Sequence, residues 1–306
     1  MLPVVSLQGP TASGKSALAI SLAQGLQGRG QPAEIVNADS MLVYRGMDIG
    51  TAKPTVAERQ DIRHHLIDIL EVTETATVAD FQYRARSVLA DCRRRGVVPI
   101  LVGGSALYMR AILDVFSFPG TDPVVRARWE HELERQGPTA LHALLAARSP
   151  EAAAEILPGN GRRLVRALEI LELTGSFQPT LPTWTYEIDG VQAFGVELAR
   201  ELMDRRIAAR VDAMWEAGLV DEVRGLVPRG LRAGQTASRA LGYRQVLAFL
   251  AGEISETAAR EETVARTRRF ARKQLGWFRR DDRIDWIPAE EISGDQLTDR
   301  LLAKRR

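Results

Sequence analysis

The stretch VVSLQGPTASGKSALAISLAQGL constrains this chain more than any other. The β-branched run LPVVSLQ ends in a glycine-containing turn, and residues 9 to 16 fit the pattern G-x-x-x-x-G-K-[ST]. From Lys15 onward Leu18, Ala19, Leu22 and Leu26 recur at helical spacing until Gly28 and Gly30 stop the helix. Strand, loop and helix in this order make a cradle whose backbone N–H groups point at phosphate oxygens. Gly9, Pro10, Thr11, Ala12, Ser13, Gly14, Lys15 and Ser16 are therefore expected to hold a diphosphate or triphosphate. Lys15 supplies a mobile positive charge, and the Ser16 hydroxyl is the expected protein ligand of a Mg2+ ion. The loop says what is held, not what is done with it. A kinase, an NTPase and an enzyme that discards pyrophosphate would all suit it.

Further short apolar runs at 33–37 (AEIVN), 65–70 (HLIDIL) and 97–104 (VVPILVGG) alternate with helical stretches such as VADFQYRARSVLADCRRRG. This alternation predicts an α/β fold: a P-loop NTPase-like parallel sheet flanked by helices. After FSFPGTDP the character changes. Residues 122–175 carry helix signals only, starting at Asp122 and stopping at Gly137, at 158–161 and at Gly175. The expected organisation is the first part of the core over 1–118, a helical insertion domain over 119–191, and completion of the core over 192–306. In the last part the run 193–199 (AFGVELA) returns to the sheet, followed by helices over 200–218, 238–251 and 255–281.

With 306 residues, 45% hydrophobic and 26% charged, the chain can bury a large core. No window approaches the roughly 18 to 20 apolar residues of a membrane span, and the first residues lack a basic leader, so a cytoplasmic protein without membrane contact is expected. Cys92 and the four histidines, His64, His65, His131 and His142, have none of the spacings of a zinc finger. The net charge of +2 means that contact with nucleic acid needs locally concentrated basic residues.

Two candidates stand at the carboxyl ends of predicted strands, where open α/β sheets place their ligands. Asp39 follows AEIVN and is either a site carboxylate or a turn-capping residue. Ser105 follows Gly103 and Gly104 and, on its own, reads as a helix cap.

In chain order the segments GPTASGKS, NADSMLVYRGMDIGTAKPT, HHLIDI, VGGSALY, RRLVRALEI and ALGYRQ resemble the bacterial tRNA dimethylallyltransferase (tRNA isopentenyltransferase) family over nearly the whole chain, from about Leu2 to about Trp286. The string D-S-x-x-x-Y-x-x-M-D-I-G-T-A-K-P is much more specific than the phosphate loop. The resemblance implies transfer of a dimethylallyl group from dimethylallyl diphosphate to N6 of the adenosine 3′ to the anticodon, with Mg2+ as cofactor. The loop then holds a leaving group. It implies catalytic roles for Asp39 as the base, for Ser105, where the family usually has Thr, as donor to the bridging oxygen, and for Arg239 on the diphosphate. It implies contact with the tRNA anticodon stem-loop through Asp39, Ser40, Met41, Leu42 and Ser105, through Arg126, and through Arg162, Arg163, Leu164, Val165 and Arg166. A monomer is expected.

A basic tract completes the picture. Between Arg260 and Arg280, eight Arg and Lys residues face only Glu261 and Glu262. At helical spacing Val264, Ala271, Leu275 and Phe278 form an apolar stripe, with Arg266, Arg269, Lys273 and Arg280 opposite, a face suited to RNA phosphates. Against the family pattern, Arg269 stands for Gln and Gly276 for Thr. The rival readings are a P-loop small-molecule kinase and a non-catalytic RNA-binding module.

Overall fold

The structure is a computed structural model that describes residues 2–178 and 183–303. In chain order the first part contains β1 (Val4–Gln8), α1 (Lys15–Gly28), β2 (Ala33–Asn37), α2 (Val56–Arg59), β3 (His64–His65), α3 (Val78–Arg94), β4 (Val98–Gly103) and α4 (Ala106–Leu113). Then come α5 (Pro123–Arg148), α6 (Pro150–Glu155) and α7 (Gly161–Thr174). The last part contains β5 (Val191–Glu197), α8 (Arg200–Glu216), α9 (Leu219–Leu226), α10 (Tyr243–Leu250), α11 (Glu256–Phe278), β6 (Asp285–Pro288) and α12 (Gly294–Ala303). The chain divides into two compact units, Met1–Asp114 with Tyr186–Arg306, and Val115–Thr185.

The larger unit is a six-stranded, all-parallel sheet in the order β3-β2-β4-β1-β5-β6. Strands β1 and β4 are buried along their full length, as expected for a parallel sheet covered on both faces. Successive side chains alternate between two cores. Val4, Val36 and Leu101 enter a core shared with α3, α4, α9 and α10, while Val5, Leu7, Ile35, Ile100 and Val102 enter one shared with α1 and α12. The order has a functional consequence. Strands β2, β4 and β1 are consecutive neighbours and parallel, so Asp39, Ser105 and the phosphate loop, each of which follows one of these strands, meet at one edge.

The run over 65–70 does not form the predicted strand. Only His64 and His65 pair with β2. Leu66 and Asp68 then adopt left-handed backbone (φ 62° and 56°). The Asp68, Ile69 and Leu70 amides donate instead to carbonyls of Leu42 and Val43. Tertiary pairing with the loop after β2 overrides the apolar pattern. Neither β6, α9 nor α12 was predicted. The helix over 255–281 is α11, but its buried row differs from the predicted stripe. Ala259, Thr263, Ala271, Gln274 and Phe278 are buried, whereas Val264 and Leu275 are half-buried.

The smaller unit is helical. Gly137 (φ 78°, ψ 167°) breaks α5, and Pro138 begins its second segment. Trp129, Leu141, Leu145, Ile156, Leu164 and Leu168 form its core. Among the described residues no helix is long and apolar enough to cross a membrane.

Candidate functional site

The phosphate loop enters α1 through two left-handed residues, Ala12 (φ 63°) and Gly14 (φ 90°), which turn successive amides to one side as in an anion nest. A Cβ on Gly9 would lie 2.7 Å from the Val196 carbonyl, so only glycine lets the loop pass β5. No acidic residue occupies the first turn of α1, a helix of 14 residues, and its positive end is left for an anion. The Ser13 hydroxyl is buried without a partner among the described residues. Lys15 Nζ donates to the Pro10 carbonyl at 3.3 Å. Burial pushes the Lys15 ammonium down to about 8, against the raising effect of the Asp39 carboxylate and together with the repulsion of Arg210.

Asp39 makes the turn-capping bond that one of its two sequence readings expects, and it also borders the cleft. Its Oδ1 accepts from the Met41 amide at 2.9 Å, a turn-capping bond, and its own amide donates to Asn37 Oδ1 at 2.8 Å. Asn37 Nδ2 in turn donates to the Asp39 and Leu66 carbonyls at 2.9 and 3.0 Å. The second Asp39 oxygen has no hydrogen-bond partner among the described residues, and the side chain lines two cavities, one shared with Lys15 and Ser16 and one shared with Ser105 and Arg239.

Ser105 stands at the N-cap position of α4, as its bare sequence reading expects, but its side chain makes no capping bond, so its hydroxyl is left for another partner. The turn before it is held from outside: Gln274 Nε2 donates to the Gly104 carbonyl at 2.6 Å, and Gln274 Oε1 accepts from the Thr11 amide at 2.9 Å.

The cleft over these groups has a volume of about 570 Å³. Thr11, Asp39, Ser40, Met41 and Ser105 line one side, and Arg210 of α8 with Arg239 another. The α11 face completes it with Arg266, Arg269, Phe270 and Lys273. Leu42 lines the neighbouring cavity beside Lys15 and Ser16. The basic residues of α11 fall into two sets. Arg260, Arg268 and Arg272 pair with Asp212 and Asp204 of α8. Arg269 and Lys273, exposed on the cleft side, have no ion-pair partner among the described residues, and Arg266 pairs only with Glu262 one turn before it. Arg280, predicted on the same face, stacks over the Trp277 ring at 4.9 Å. Arg239, in a 3-10 turn over Ala237–Arg239, is exposed and likewise unpaired among the described residues.

Much of the string over 44–54 is scaffold. Tyr44 and Met47 are fully buried. Lys53 Nζ, itself buried, donates to the Tyr44 carbonyl and to the Asp48 and Asp68 carboxylates at 2.5–2.8 Å. Glu222 of α9 accepts from the Asp48, Ile49 and Gly50 amides and from the Tyr243 hydroxyl. Gly50 packs so closely on Tyr243 that a Cβ there would lie 2.5 Å from the ring. These contacts hold the loop whose start carries Asp39.

In the helical unit, Arg126 and Arg166 both donate to Glu169, at 2.7 and 2.8 Å. Arg166 also reaches the Pro119 and Gly120 carbonyls. Burial raises the Glu169 carboxyl, but the Thr121 hydroxyl and the two guanidinium groups outweigh it and hold it at about 2. Arg162 and Arg163 are exposed, while Leu164 and Val165 are buried in the unit's core, so their side chains serve packing.

Sequence reasoning missed Arg210, Gln274, Asn37 and Phe270. Arg210 looks like any other Arg of the charged helix α8. Gln274 offered one local signal, a polar residue in a stripe that should be apolar.

For a divalent ion, the fit rests on Ser16. Its hydroxyl is exposed on the cavity beside Lys15 and has no partner among the described residues, the single oxygen donor that Mg2+ takes when phosphates and water supply the rest. A second group, Glu34, His65 and Cys92, brings its ligand atoms within 4.8 Å of one another. There the position of a cation is taken by Arg95, whose guanidinium donates to both Glu34 oxygens at 2.7–2.8 Å and to the Cys92 sulfur at 3.4 Å. The Arg95 bonds hold the Glu34 carboxyl at about 2, and burial pushes the Cys92 thiol up to about 12.

A loop of this kind at the carboxyl edge of a parallel sheet, with a carboxylate and a hydroxyl from the two strands beside it, defines an α/β protein of the P-loop NTPase-like class. The family model described as IPP transferase matches residues 42–281. The chain belongs to the IPP transferase family. It is 56% identical to the tRNA dimethylallyltransferase of Cutibacterium acnes, over 99% of this chain and 94% of that one. It is 59% identical to that of Thermobifida fusca, with the same shares covered. Among solved structures, the full-length tRNA isopentenylpyrophosphate transferase of Bacillus halodurans shares 35% identity, with a TM-score of 0.71 over 100% of this chain and 96% of the other. A eukaryotic dimethylallyltransferase acting on tRNA, at 24% identity and covering 100% of this chain and 77% of its own, shares the fold with a TM-score of 0.78.

Proposed function

We propose that this protein transfers the dimethylallyl group of dimethylallyl diphosphate to N6 of the adenosine 3′ to the anticodon in tRNA, releasing pyrophosphate. The observation that carries the reading is the single cleft in which Asp39, Ser105, Arg239 and the exposed cations of α11 face one another beside the phosphate loop. The cavity on the Lys15 side suits the diphosphate, and the side lined by Arg266, Arg269 and Lys273 suits RNA phosphates.

The roles follow from the chemistry. The allylic C–O bond breaks as N6 of adenine forms its bond to the same carbon, and the electron pair leaves on the diphosphate. Groups aimed at those oxygens lower the barrier: the loop amides, Lys15, Arg239 and the Ser105 hydroxyl. Ser16 would hold Mg2+, which would supply further positive charge against the leaving group. An exocyclic amine is a weak nucleophile, and the unpartnered Asp39 oxygen takes its hydrogen bond and then its proton. The adenine must leave its stack to reach Asp39, and Ser40, Met41 and Leu42 flank the position it enters. The helical unit offers Arg162 and Arg163 on its surface, and its Arg126 and Arg166 are bound to Glu169. The protein acts as a monomer in the cytoplasm on this reading.

The test is incubation with unmodified tRNA, radiolabelled dimethylallyl diphosphate and Mg2+, with label scored in the RNA. Label in the RNA supports the reading. No label, with turnover of ATP and a small acceptor instead, would establish the kinase alternative.

A further inference from the structure

Gln274 sits where α11 should be apolar. It is 7% exposed, in line with Ala271 and Phe278, and a buried amide costs stability unless it is hydrogen-bonded. A leucine would fill the same place without that requirement. Both of its bonds leave its own helix, and each goes to a different loop of the site. The carbonyl oxygen takes the Thr11 amide of the phosphate loop at 2.9 Å, and the amide group donates to the Gly104 carbonyl at 2.6 Å.

The surroundings show how tightly this bridge is built. A Cβ on Gly104 would lie 2.6 Å from Gln274 Nε2, 3.3 Å from the Gly9 carbonyl and 3.5 Å from Lys15 Nζ. The phosphate loop, the Gly103-Gly104-Ser105 turn and α11 thus converge on one point that only glycine leaves open. The next residue is Ser105. Its hydroxyl caps nothing, so its place relative to a diphosphate depends on the main chain at Gly104, which Gln274 holds.

We propose that Gln274 is a positioning residue for the transfer reaction: by tying the phosphate loop to the Gly103-Gly104-Ser105 turn, it sets the distance between the bound diphosphate and the Ser105 hydroxyl. This inference rests on the function proposed above. Gln274 touches no reacting atom and acts through Ser105. A misplacement of about 1 Å in such a donor costs about 10²-fold in rate.

A double-mutant cycle tests it, with Gln274→Leu, Ser105→Ala and the pair, each measured by single-turnover transfer to tRNA at saturating substrates, with pyrophosphate affinity by calorimetry. Gln274→Leu is expected to slow transfer by about 10²-fold in the parent but by less than about threefold once the Ser105 hydroxyl is gone, since residues that act as a unit are not additive. Pyrophosphate affinity is expected to stay within about fivefold of the parent, the loop amides and Lys15 being intact. An equal loss in both backgrounds, or an unchanged rate, overturns the proposal. If Gln274→Leu does not fold, Gln274→Glu carries the same cycle, because it keeps the acceptor for Thr11 and removes the donor to Gly104. Failure of the parent itself to label tRNA refutes the proposed function, whereas an active parent with an additive cycle refutes only the role of Gln274.

Discussion

Replacing Asp39 by Asn separates the turn-capping bonds this residue makes from the base role proposed for it. Asn keeps the size and the carbonyl oxygen, so the bond from the Met41 amide at 2.9 Å survives, as does the Asp39 amide bond to Asn37 at 2.8 Å. The turn is preserved, and stability is expected to change by less than about 1 kcal/mol, the worth of one ordinary hydrogen bond. The second oxygen becomes an amide that cannot take a proton. Loss of a general base costs about 10²- to 10⁴-fold in rate. A side effect has to be controlled: the Asp39 carboxylate raises the Lys15 ammonium, so the variant lowers it further below about 8. The assay is therefore run near neutral pH, where Lys15 keeps most of its charge. Single-turnover transfer with both substrates saturating reads the chemical step, while calorimetry with pyrophosphate and filter binding with tRNA check that both ligands still bind within a few-fold. A transfer rate within about threefold of the parent would refute the base assignment and leave Asp39 as a turn residue.

The other predictions concern charge. Replacing Arg266, Arg269 and Lys273 together by Gln is expected to weaken tRNA binding and to flatten the plot of log affinity against log salt by up to about 0.7 to 0.9 per lost phosphate contact; an unchanged slope removes this face of α11 from the RNA surface. Because burial holds Lys15 at about 8 in the free protein, pyrophosphate binding above that pH is expected to draw a proton onto it. Calorimetry in buffers of different ionisation enthalpy detects the uptake, and a Lys15→Met variant showing the same uptake contradicts it. The Glu169 cluster stabilises the fold because the folded carboxyl, at about 2, lies below its ordinary value of 4.5. Its contribution is complete above about pH 4.5 and is lost as pH falls toward 2, so urea midpoints should drop less on acidification in Glu169→Gln than in the parent; equal slopes count against the cluster.

Several features were legible in the sequence because their physics is local. A β-branched strand, glycines that admit left-handed backbone and a helix beginning at Lys15 specify the phosphate loop within 25 residues, and β1 with α1 (Val4–Gln8, Lys15–Gly28) follows that pattern. The alternation of apolar runs with helical periodicity gave the parallel α/β class, and Gly137 and Gly175 punctuate the helical segment as their backbone freedom requires. Asp39 and Ser105 were legible as candidates from their places after predicted strands.

Tertiary structure decided what no window of the chain contains. Strand order put β4 between β2 and β1, and that alone brings Asp39, Ser105 and the phosphate loop together from positions far apart in sequence. The run 65–70 has a strand's apolar pattern but lies against residues 42–43, because the loop after β2 offers its carbonyls there. The eight basic residues between Arg260 and Arg280 look alike in sequence. Packing against α8 pairs Arg260 with Asp212 and sets Arg268 and Arg272 beside Asp204, and it leaves Arg269 and Lys273 facing the cleft. Gln274 became intelligible only once Thr11 and Gly104, 263 and 170 residues away, stood at its two ends. Hydrogen bonds and burial are properties of neighbours in space, and a sequence fixes those neighbours only through the folded chain.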